Sequence, residues 1–213
     1  MMSYNQVTIK TIDLLPFYGI LQQGIAKNIN PGCTLKQLLC DQFNISPNYI
    51  ETRIKTAFLN QKPVDNYDSA IVHDKDTLAL SGAMPGLVGA TFRKNSILSA
   101  FRRNISYRDF VAKKDASQNG NGKITIKLFN LLVNEIGPGL LESGILFQSE
   151  QLINIIKTEC SKKESLFKSI KINGVNQFLK NDRILCNFKN DEIVFLKVQL
   201  FQYEHFFNGE VIT

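Results

Sequence analysis

Several groupings of residues in this chain have types and spacings that chemistry could use. Gly82, Gly86 and Gly89 could cradle a phosphate, but a phosphate loop needs Gly-Lys-Ser/Thr opening a helix, and here Gly89 is followed by Ala90-Thr91. Asp115, Ser117, Asn119 and Gly120 imitate the start of a calcium loop. The eighth position is Gly122 instead of an apolar residue and the twelfth is Ile126 instead of the bidentate Glu, so calcium binding is not expected. Cys33 and Cys40 are seven apart, a spacing that would put them on one helix face, yet no histidine lies close in sequence and core thiols are the simpler reading. Cys160 stands beside Lys162 and Lys163, but a helix C-terminus opposes thiolate formation. His73 and His205 are the two histidines and neither belongs to a nucleophile pattern. Asp74 and Asp76 read as turn formers. The sequence therefore implies no catalytic residue, no cofactor and no metal.

The elements that would position such residues are those of a folded, two-part chain. A length of 213 residues, 44% hydrophobic and 21% charged, lies in the globular range and argues against disorder throughout. With 15 Phe and no Trp, the cores must be built from Phe, Ile, Leu and Val. The start, Met-Met-Ser-Tyr-Asn-Gln, lacks the pattern of a secretory signal and no run is long enough to span a membrane, so a cytoplasmic protein without membrane contact is expected. Four cysteines, Cys33, Cys40, Cys160 and Cys186, form no Cys-x-x-Cys pair and are expected reduced.

Val7-Thr8-Ile9-Lys10-Thr11-Ile12 alternates at period two and predicts a strand with one face on a core. Leu14 to Leu21 is broken by Pro16 and Gly19 and reads as a bent connection. Gly24 to Ile29 is a second strand, and Thr34 caps a helix carrying Leu35, Leu38, Leu39 and Phe43. Asn44 to Tyr49, with Ser46-Pro47, reads as a loop, Ile54 to Leu59 as a strand, Asp74 to Asp76 as a turn and Thr77 to Leu80 as a buried strand. Ser81 to Thr91 follows as a glycine-rich arm with neither helix nor sheet periodicity.

The order then recurs. Ile124-Thr125-Ile126-Lys127-Leu128-Phe129 restates the first strand, and Gly144-Ile145-Leu146-Phe147 the second. Ser149 stands where Thr34 stood, ahead of Leu152, Ile153, Ile155 and Ile156. Ile170-Lys171-Ile172-Asn173-Gly174 answers Ala57-Phe58-Leu59-Asn60-Gln61, and Asn190-Asp191 answers Lys75-Asp76. Val7 and Asp76 lie 69 positions apart and Ile124 and Asp191 lie 67 apart, so order and length agree.

Asn30-Pro31-Gly32-Cys33-Thr34-Leu35-Lys36-Gln37-Leu38-Leu39, Phe58-Leu59-Asn60-Gln61-Lys62-Pro63-Val64 and His73-Asp74-Lys75-Asp76-Thr77-Leu78-Ala79-Leu80 together resemble a known family. It is that of the β-grasp (ubiquitin-like) sulfur carriers, MoaD/ThiS-like proteins that include the molybdopterin-synthase small subunit and the thiamine-biosynthesis carrier. The resemblance covers roughly 1 to 86, and 123 to 200 more loosely. It implies an α+β fold of two tandem β-grasp units joined by a glycine-rich arm and a basic connector: residues 1–86, a connector at 87–122 with a short helix at Ile97 to Phe101, and a divergent second unit at 123–213. Those carriers end in a free Gly-Gly that becomes a thiocarboxylate. Here Ala83-Met84-Pro85-Gly86-Leu87-Val88-Gly89 occupies that place and the chain runs on, while Asn208-Gly209-Glu210-Val211-Ile212-Thr213 closes the sequence without Gly-Gly. Carrier chemistry would need processing after Gly86 or Gly89.

The middle segment gathers the charge. Arg93, Lys94, Arg102, Arg103, Arg108, Lys113, Lys114 and Lys123 stand against Asp109 and Asp115, an excess equal to the formal net charge of +6. With Phe92, Phe101, Tyr107 and Phe110 interleaved, it could hold a phosphate backbone or an acidic protein, although charge runs most often mark a solvated face. The leading expectation is a noncatalytic protein-interaction or assembly module whose arm, Gly82, Met84, Pro85, Gly86, Leu87, Val88 and Gly89, meets a protein partner. A sulfur-carrier role after processing and nucleic-acid binding through the basic connector are the alternatives.

Overall fold

The structure is a computed structural model that describes residues 4–102, 104–107, 120–162, 164–177, 188, 192–201, 206–207 and 210–211. The chain forms β1 (Asn5–Thr11), α1 (Leu15–Gln23), β2 (Ile25–Ile29), α2 (Leu35–Gln37) running on as a π-helical turn (Leu38–Gln42), and α3 (Pro47–Thr52). Then come β3 (Thr56–Leu59), β4 (Lys62–Pro63), β5 (Thr77–Ser81), α4 (Gly86–Phe92), a 3-10 helix (Ile97–Arg102), β6 (Gly122–Phe129), α5 (Leu132–Glu135) and α6 (Gly137–Ser143). Last are β7 (Ile145–Gln148), α7 (Ser149–Cys160), β8 (Phe167–Ile172), β9 (Val175–Gln177), β10 (Ile193–Leu200), β11 (Phe206–Phe207) and β12 (Glu210–Val211).

The expected pair of tandem β-grasp units is not what forms. Ten strands join one mixed sheet in the order β4-β3-β5-β6-β2-β7-β10-β1-β8-β9. By its contacts the chain divides into one compact unit of 17–146 and another made of 1–16 with 147–213. The strand that opens the first sequence repeat therefore lies with the second half, and the strand that opens the second repeat lies with the first. Period-two alternation explains why the repeat misleads. It fixes which face of a strand is buried and says nothing about which strand will be its neighbour.

In the unit 17–146, β6 runs parallel to β5, with Leu78 opposite Ile126 and Leu80 opposite Leu128, and antiparallel to β2, with Ile25 opposite Ile126. All these side chains are buried. A parallel neighbour needs a crossover of a dozen residues or more, and the segment between Ser81 and Gly122 supplies it. What reads as a linker between domains is thus the β5–β6 crossover inside one unit. The Asp74–Asp76 turn sets its landing point: Lys123 N donates to Asp74 Oδ1 at 2.7 Å, Lys75 N to Lys123 O at 2.7 Å and Thr125 N to Asp76 O at 2.9 Å. Asp76, itself buried, accepts from Asn60 Nδ2 at 2.6 Å and His73 N at 2.7 Å.

Helix entries follow from capping. Thr34 Oγ1 accepts from Gln37 N at 3.2 Å while Gln37 Oε1 accepts from Thr34 N at 2.9 Å, a reciprocal capping box. Thr34→Ala is expected to cost about 1 kcal/mol. A lower urea midpoint at unchanged slope checks this, with Gln37→Ala adding little on top because both residues serve one box. Two helices stand where connections were expected. Pro16 and Pro47 occupy first turns, where a missing N–H costs nothing. Asp13 Oδ1 caps α1 by accepting from Leu15 N at 2.8 Å, and Ser46 Oγ caps α3 by accepting from Tyr49 N at 3.2 Å. Phe17 and Leu21 of α1 are fully buried.

In the unit of 1–16 with 147–213, β1 runs parallel to β10 and antiparallel to β8, stacking Val7 with Leu196 and Ile172, and Ile9 with Val198 and Ile170. Asn173, at φ 50° in the β8–β9 turn, holds β1 in place: its Oδ1 accepts from Gln6 N at 2.8 Å and its Nδ2 donates to Asn5 Oδ1 at 2.8 Å. Asn60 has the matching task on β5, accepting from Thr77 N at 2.9 Å. The match between the two Asn turns is thus a match of tasks, performed on strands from different parts of the chain. Ser149 is the first residue of α7 and not its side-chain cap, its N–H donating to Glu192 O at 2.8 Å. The Asn190-Asp191 turn lies outside the described residues.

Candidate docking surface

The glycine-rich arm is not irregular. Residues Gly86–Phe92 are helical, entered through Pro85 in extended conformation and Gly86 at φ +76°. The missing apolar periodicity misled the sequence reading, because this helix buries little: Leu87 is 74% and Val88 69% exposed. Gly82 and Gly89 are buried, Met84 is half-buried and Pro85 is exposed. The turn after α4 leads to the 3-10 helix, on which Ile97 is 95% and Phe101 83% exposed. Phe101 faces water while Arg102, next to it, is 3% exposed.

The hairpin of α4 and the 3-10 helix is anchored from beneath. Phe92 packs on Phe58 of β3 with ring centroids 5.3 Å apart, and Lys94 N donates to Lys55 O at 2.8 Å. Arg102 is the main tie. Its Nη2 and Nη1 fork Asp65 at 2.5 and 2.8 Å, Nε donates to Thr91 O at 2.7 Å, Nη1 also to Ser106 Oγ at 2.8 Å, and Nη2 also to Arg93 O at 3.4 Å. All five N–H groups of the guanidinium are engaged. Beyond it, Tyr107 N donates to Pro63 O at 2.8 Å and Tyr107 Oη to Ile71 O at 3.1 Å. The exposed apolar side chains therefore ride on a fastened frame.

Two of the connector's cations among the described residues are engaged within the protein. Arg102 is consumed internally, and Lys94 pairs with Glu51 at 2.9 Å and sits 4.4 Å from the centre of the Tyr67 ring. Arg93 is exposed. Arg103 and Arg108, with Lys113, Lys114 and Phe110, lie outside the described residues, as do Asp115 to Asn119, Cys186 and His205. No Asp or Glu occurs between Asp76 and Asp109. The hairpin is thus apolar and basic, with no acidic side chain of its own.

The thiols are quiet. Burial pushes the Cys33, Cys40 and Cys160 thiols above their ordinary range, with Asp41 adding to the rise for Cys40 and Glu159 for Cys160. Gln42 Nε2 donates to Cys33 Sγ at 3.2 Å. Among the described residues no three of His, Cys, Asp and Glu gather where a metal ion could sit.

The structure adds one cluster that sequence reasoning missed. Tyr49 of α3 and Arg53, its C-cap residue one turn on, converge on Glu135 of α5. Tyr49 Oη donates to Glu135 Oε2 at 2.5 Å, Arg53 Nε donates to the same oxygen at 3.0 Å, and Arg53 Nη2 pairs with Oε1. The Arg53 guanidinium and then the Tyr49 hydroxyl hold the Glu135 carboxyl below the usual carboxylate range, while burial and Glu135 push Tyr49 upward. Tyr49 and Glu135 also border a cleft of about 300 Å³ together with Phe43, Ile45, Ile136 and Leu140. A carboxylate filled by its own neighbours is a tie between α3 and α5 and not a free base. Its signal is the i, i+4 spacing of Tyr49 and Arg53, hidden in the sequence because Asn44 to Tyr49, with Ser46-Pro47, reads as a loop.

No family model matches the chain, and no curated protein and no solved structure matches it.

Proposed function

We propose that the protein is a noncatalytic interaction module that docks a protein partner on the hairpin of α4 and the 3-10 helix. One observation carries this reading: Leu87, Val88, Ile97 and Phe101 are all more than two-thirds exposed, yet belong to a segment fastened by the Arg102 fork. Scattered exposed apolar side chains are ordinary, whereas a group of them on an ordered hairpin marks an interaction surface. The partner that fits carries an apolar face with acidic residues around it, because Arg93 is exposed beside the patch and the hairpin has no carboxylate to neutralise.

No helix among the described residues is long and apolar enough to cross a membrane. The free thiols of Cys33, Cys40 and Cys160 support placing the work in the reducing cytoplasm. A photo-reactive residue at position 87 or 101, irradiated in the native cell, should cross-link one stoichiometric protein. Leu87→Asp and Phe101→Asp should each weaken that complex at least about tenfold while leaving the folded fraction unchanged. A complex indifferent to both substitutions would remove the hairpin from the interface.

A further inference from the structure

The cleft of about 300 Å³ takes its apolar wall from two places, Phe43 and Ile45 from the segment before α3, and Ile136 and Leu140 from the corner of α5 and α6. Both belong to the unit 17–146. The first wall is held in place before any ligand arrives. The π-helical turn Leu38–Gln42 closes with Phe43 N donating to Leu38 O at 3.1 Å, Ile45 N donates to Leu39 O at 2.9 Å, and Gln42 clasps Asn30 by accepting from its N at 2.8 Å and donating to its O at 3.0 Å. Turns of this kind recur at functional sites. The tie from Tyr49 and Arg53 to Glu135 joins the two walls and sets their separation.

Gly139 of α6 lines the same cleft, and the fold itself gives no reason for a glycine there. Its φ is not positive, and a Cβ built on it would meet no described atom within 4 Å beyond its chain neighbours and its own helix backbone. A glycine inside a helix costs stability relative to alanine. Neither backbone conformation nor packing offsets that cost here, and what the missing side chain does is leave the cleft open. Gly137, two positions earlier, is the contrast, since a Cβ there would meet Leu21 Cδ1 at 2.6 Å.

The charge around the cleft is already spent. Glu135 is the one charged side chain among the described residues that line it, and Arg53 pairs with it. Lys27 Nζ lies 5.9 Å from the centre of the Phe43 ring but donates to Ser143 Oγ and Gly144 O at 2.8 Å each. An ion entering the cleft would lose hydration and find no uncompensated opposite charge. Apolar wall with a few polar groups, here the exposed Asn44 and Ser46, is the composition of a small-molecule site, and the volume is at the small end of that class. We infer that the cleft binds a free, uncharged small molecule with an apolar body the size of one or two fused rings, received in the space that Gly139 leaves.

The test is a titration of the isotope-labelled full-length chain with indole, followed by amide NMR shifts. Saturable shifts concentrated at 43–46 and 135–140 are expected. Indole-3-acetate and tryptamine, the same ring carrying either charge, should bind about tenfold more weakly or worse, the worth of desolvating an ion without a partner. Gly139→Leu places a side chain in the cleft and should weaken indole at least about tenfold. Gly139→Ala should raise the thermal midpoint by about 1–4 °C, because the glycine does not serve the fold, and lower the affinity by a smaller factor; it carries the test should the leucine variant fold poorly. Binding of N-acetyl-tryptophan methylamide as tight as that of indole would make the cleft a slot for a partner's side chain and overturn the free-molecule assignment. Non-saturating shifts, equal affinity for all three ring compounds, affinity unchanged in both Gly139 variants, or a lowered midpoint in Gly139→Ala would overturn the site.

Discussion

Arg102→Ala is expected to destabilise the protein by about 3 kcal/mol, the lower part of the range for removing one partner of a buried ion pair. The side chain is 2% exposed and Asp65 is 41% exposed. Water can therefore rehydrate the Asp65 carboxylate after the loss, which keeps the cost below that of a fully enclosed pair. The carbonyls of Thr91 and Arg93 and the hydroxyl of Ser106 lose donors in the same step. Arg102→Lys should recover only part of the stability, because a point charge cannot fork Asp65 and reach Thr91 O together. Chemical denaturation gives the total, and hydrogen exchange at 86–102 should show the hairpin opening first in the Ala variant. The same pair of variants separates docking from phosphate binding. If Arg102 served a nucleic-acid backbone, Arg102→Lys would keep most of that affinity; if it serves the frame, both variants weaken whatever binds Leu87 and Phe101.

What could be read from the sequence and what could not divide along a physical line. Information carried by neighbours in the chain was legible. The alternation of Val7 to Ile12 and of Ile124 to Phe129 does bury Val7, Ile9, Ile124, Ile126 and Leu128; Thr34 does cap a helix; Asp74 to Asp76 does turn. Information carried by distant segments was not. Two nearly interchangeable strands, Val7-Thr8-Ile9-Lys10 and Ile124-Thr125-Ile126-Lys127, cannot announce which half each will complete, and the tandem reading assigned both to the segment that follows them. The side chains that decide it are polar and remote: Asn173 holding Gln6 across 167 positions, Asp74 holding Lys123 across 49. The repeated Asn turns were visible, but their task of gripping the strand beside the hairpin appears only when that strand is in place.

The proposed docking surface shows the same division. Its residues were named from sequence as an arm with Gly82, Met84, Pro85, Gly86, Leu87, Val88 and Gly89, but its helix was not, because a helix that buries so little leaves no apolar stripe. Its counterpart on the 3-10 helix, Ile97 with Phe101, reads in sequence only as the two ends of a short helix, with nothing to mark them as exposed. Exposure on that element is dictated by Arg102, whose burial turns Phe101 outward, and a guanidinium chosen for an internal carboxylate looks identical in sequence to one offered to phosphate.

Gly89→Ala tests the hairpin at its tightest point. A Cβ built on Gly89 would lie 2.3 Å from Met84 O and 2.5 Å from Met84 C, so the obstruction is backbone and cannot swing aside. Overpacking against an immovable neighbour costs about 2–3 kcal/mol and shifts the chain; the glycine here permits close approach within its own chain. Gly137→Ala is the control. Its Cβ would meet Leu21 Cδ1 at 2.6 Å, the mobile end of a side chain, so a rotamer change relieves most of the strain. Gly86→Ala should fall between, at about 1 kcal/mol, since φ +76° penalises any Cβ while nothing stands within 4 Å of it. The expected order of lost stability is Gly89→Ala, then Gly86→Ala, then Gly137→Ala, measured as shifts of denaturation midpoint. Because displacing Met84 from Gly89 also tilts Leu87 and Val88, Gly89→Ala should weaken the cross-linked complex under conditions where it is still folded, and Gly137→Ala should not. A Gly89→Ala protein as stable as its parent would mean that Met84 does not close on α4, and the ordered hairpin on which the docking proposal rests would go with it.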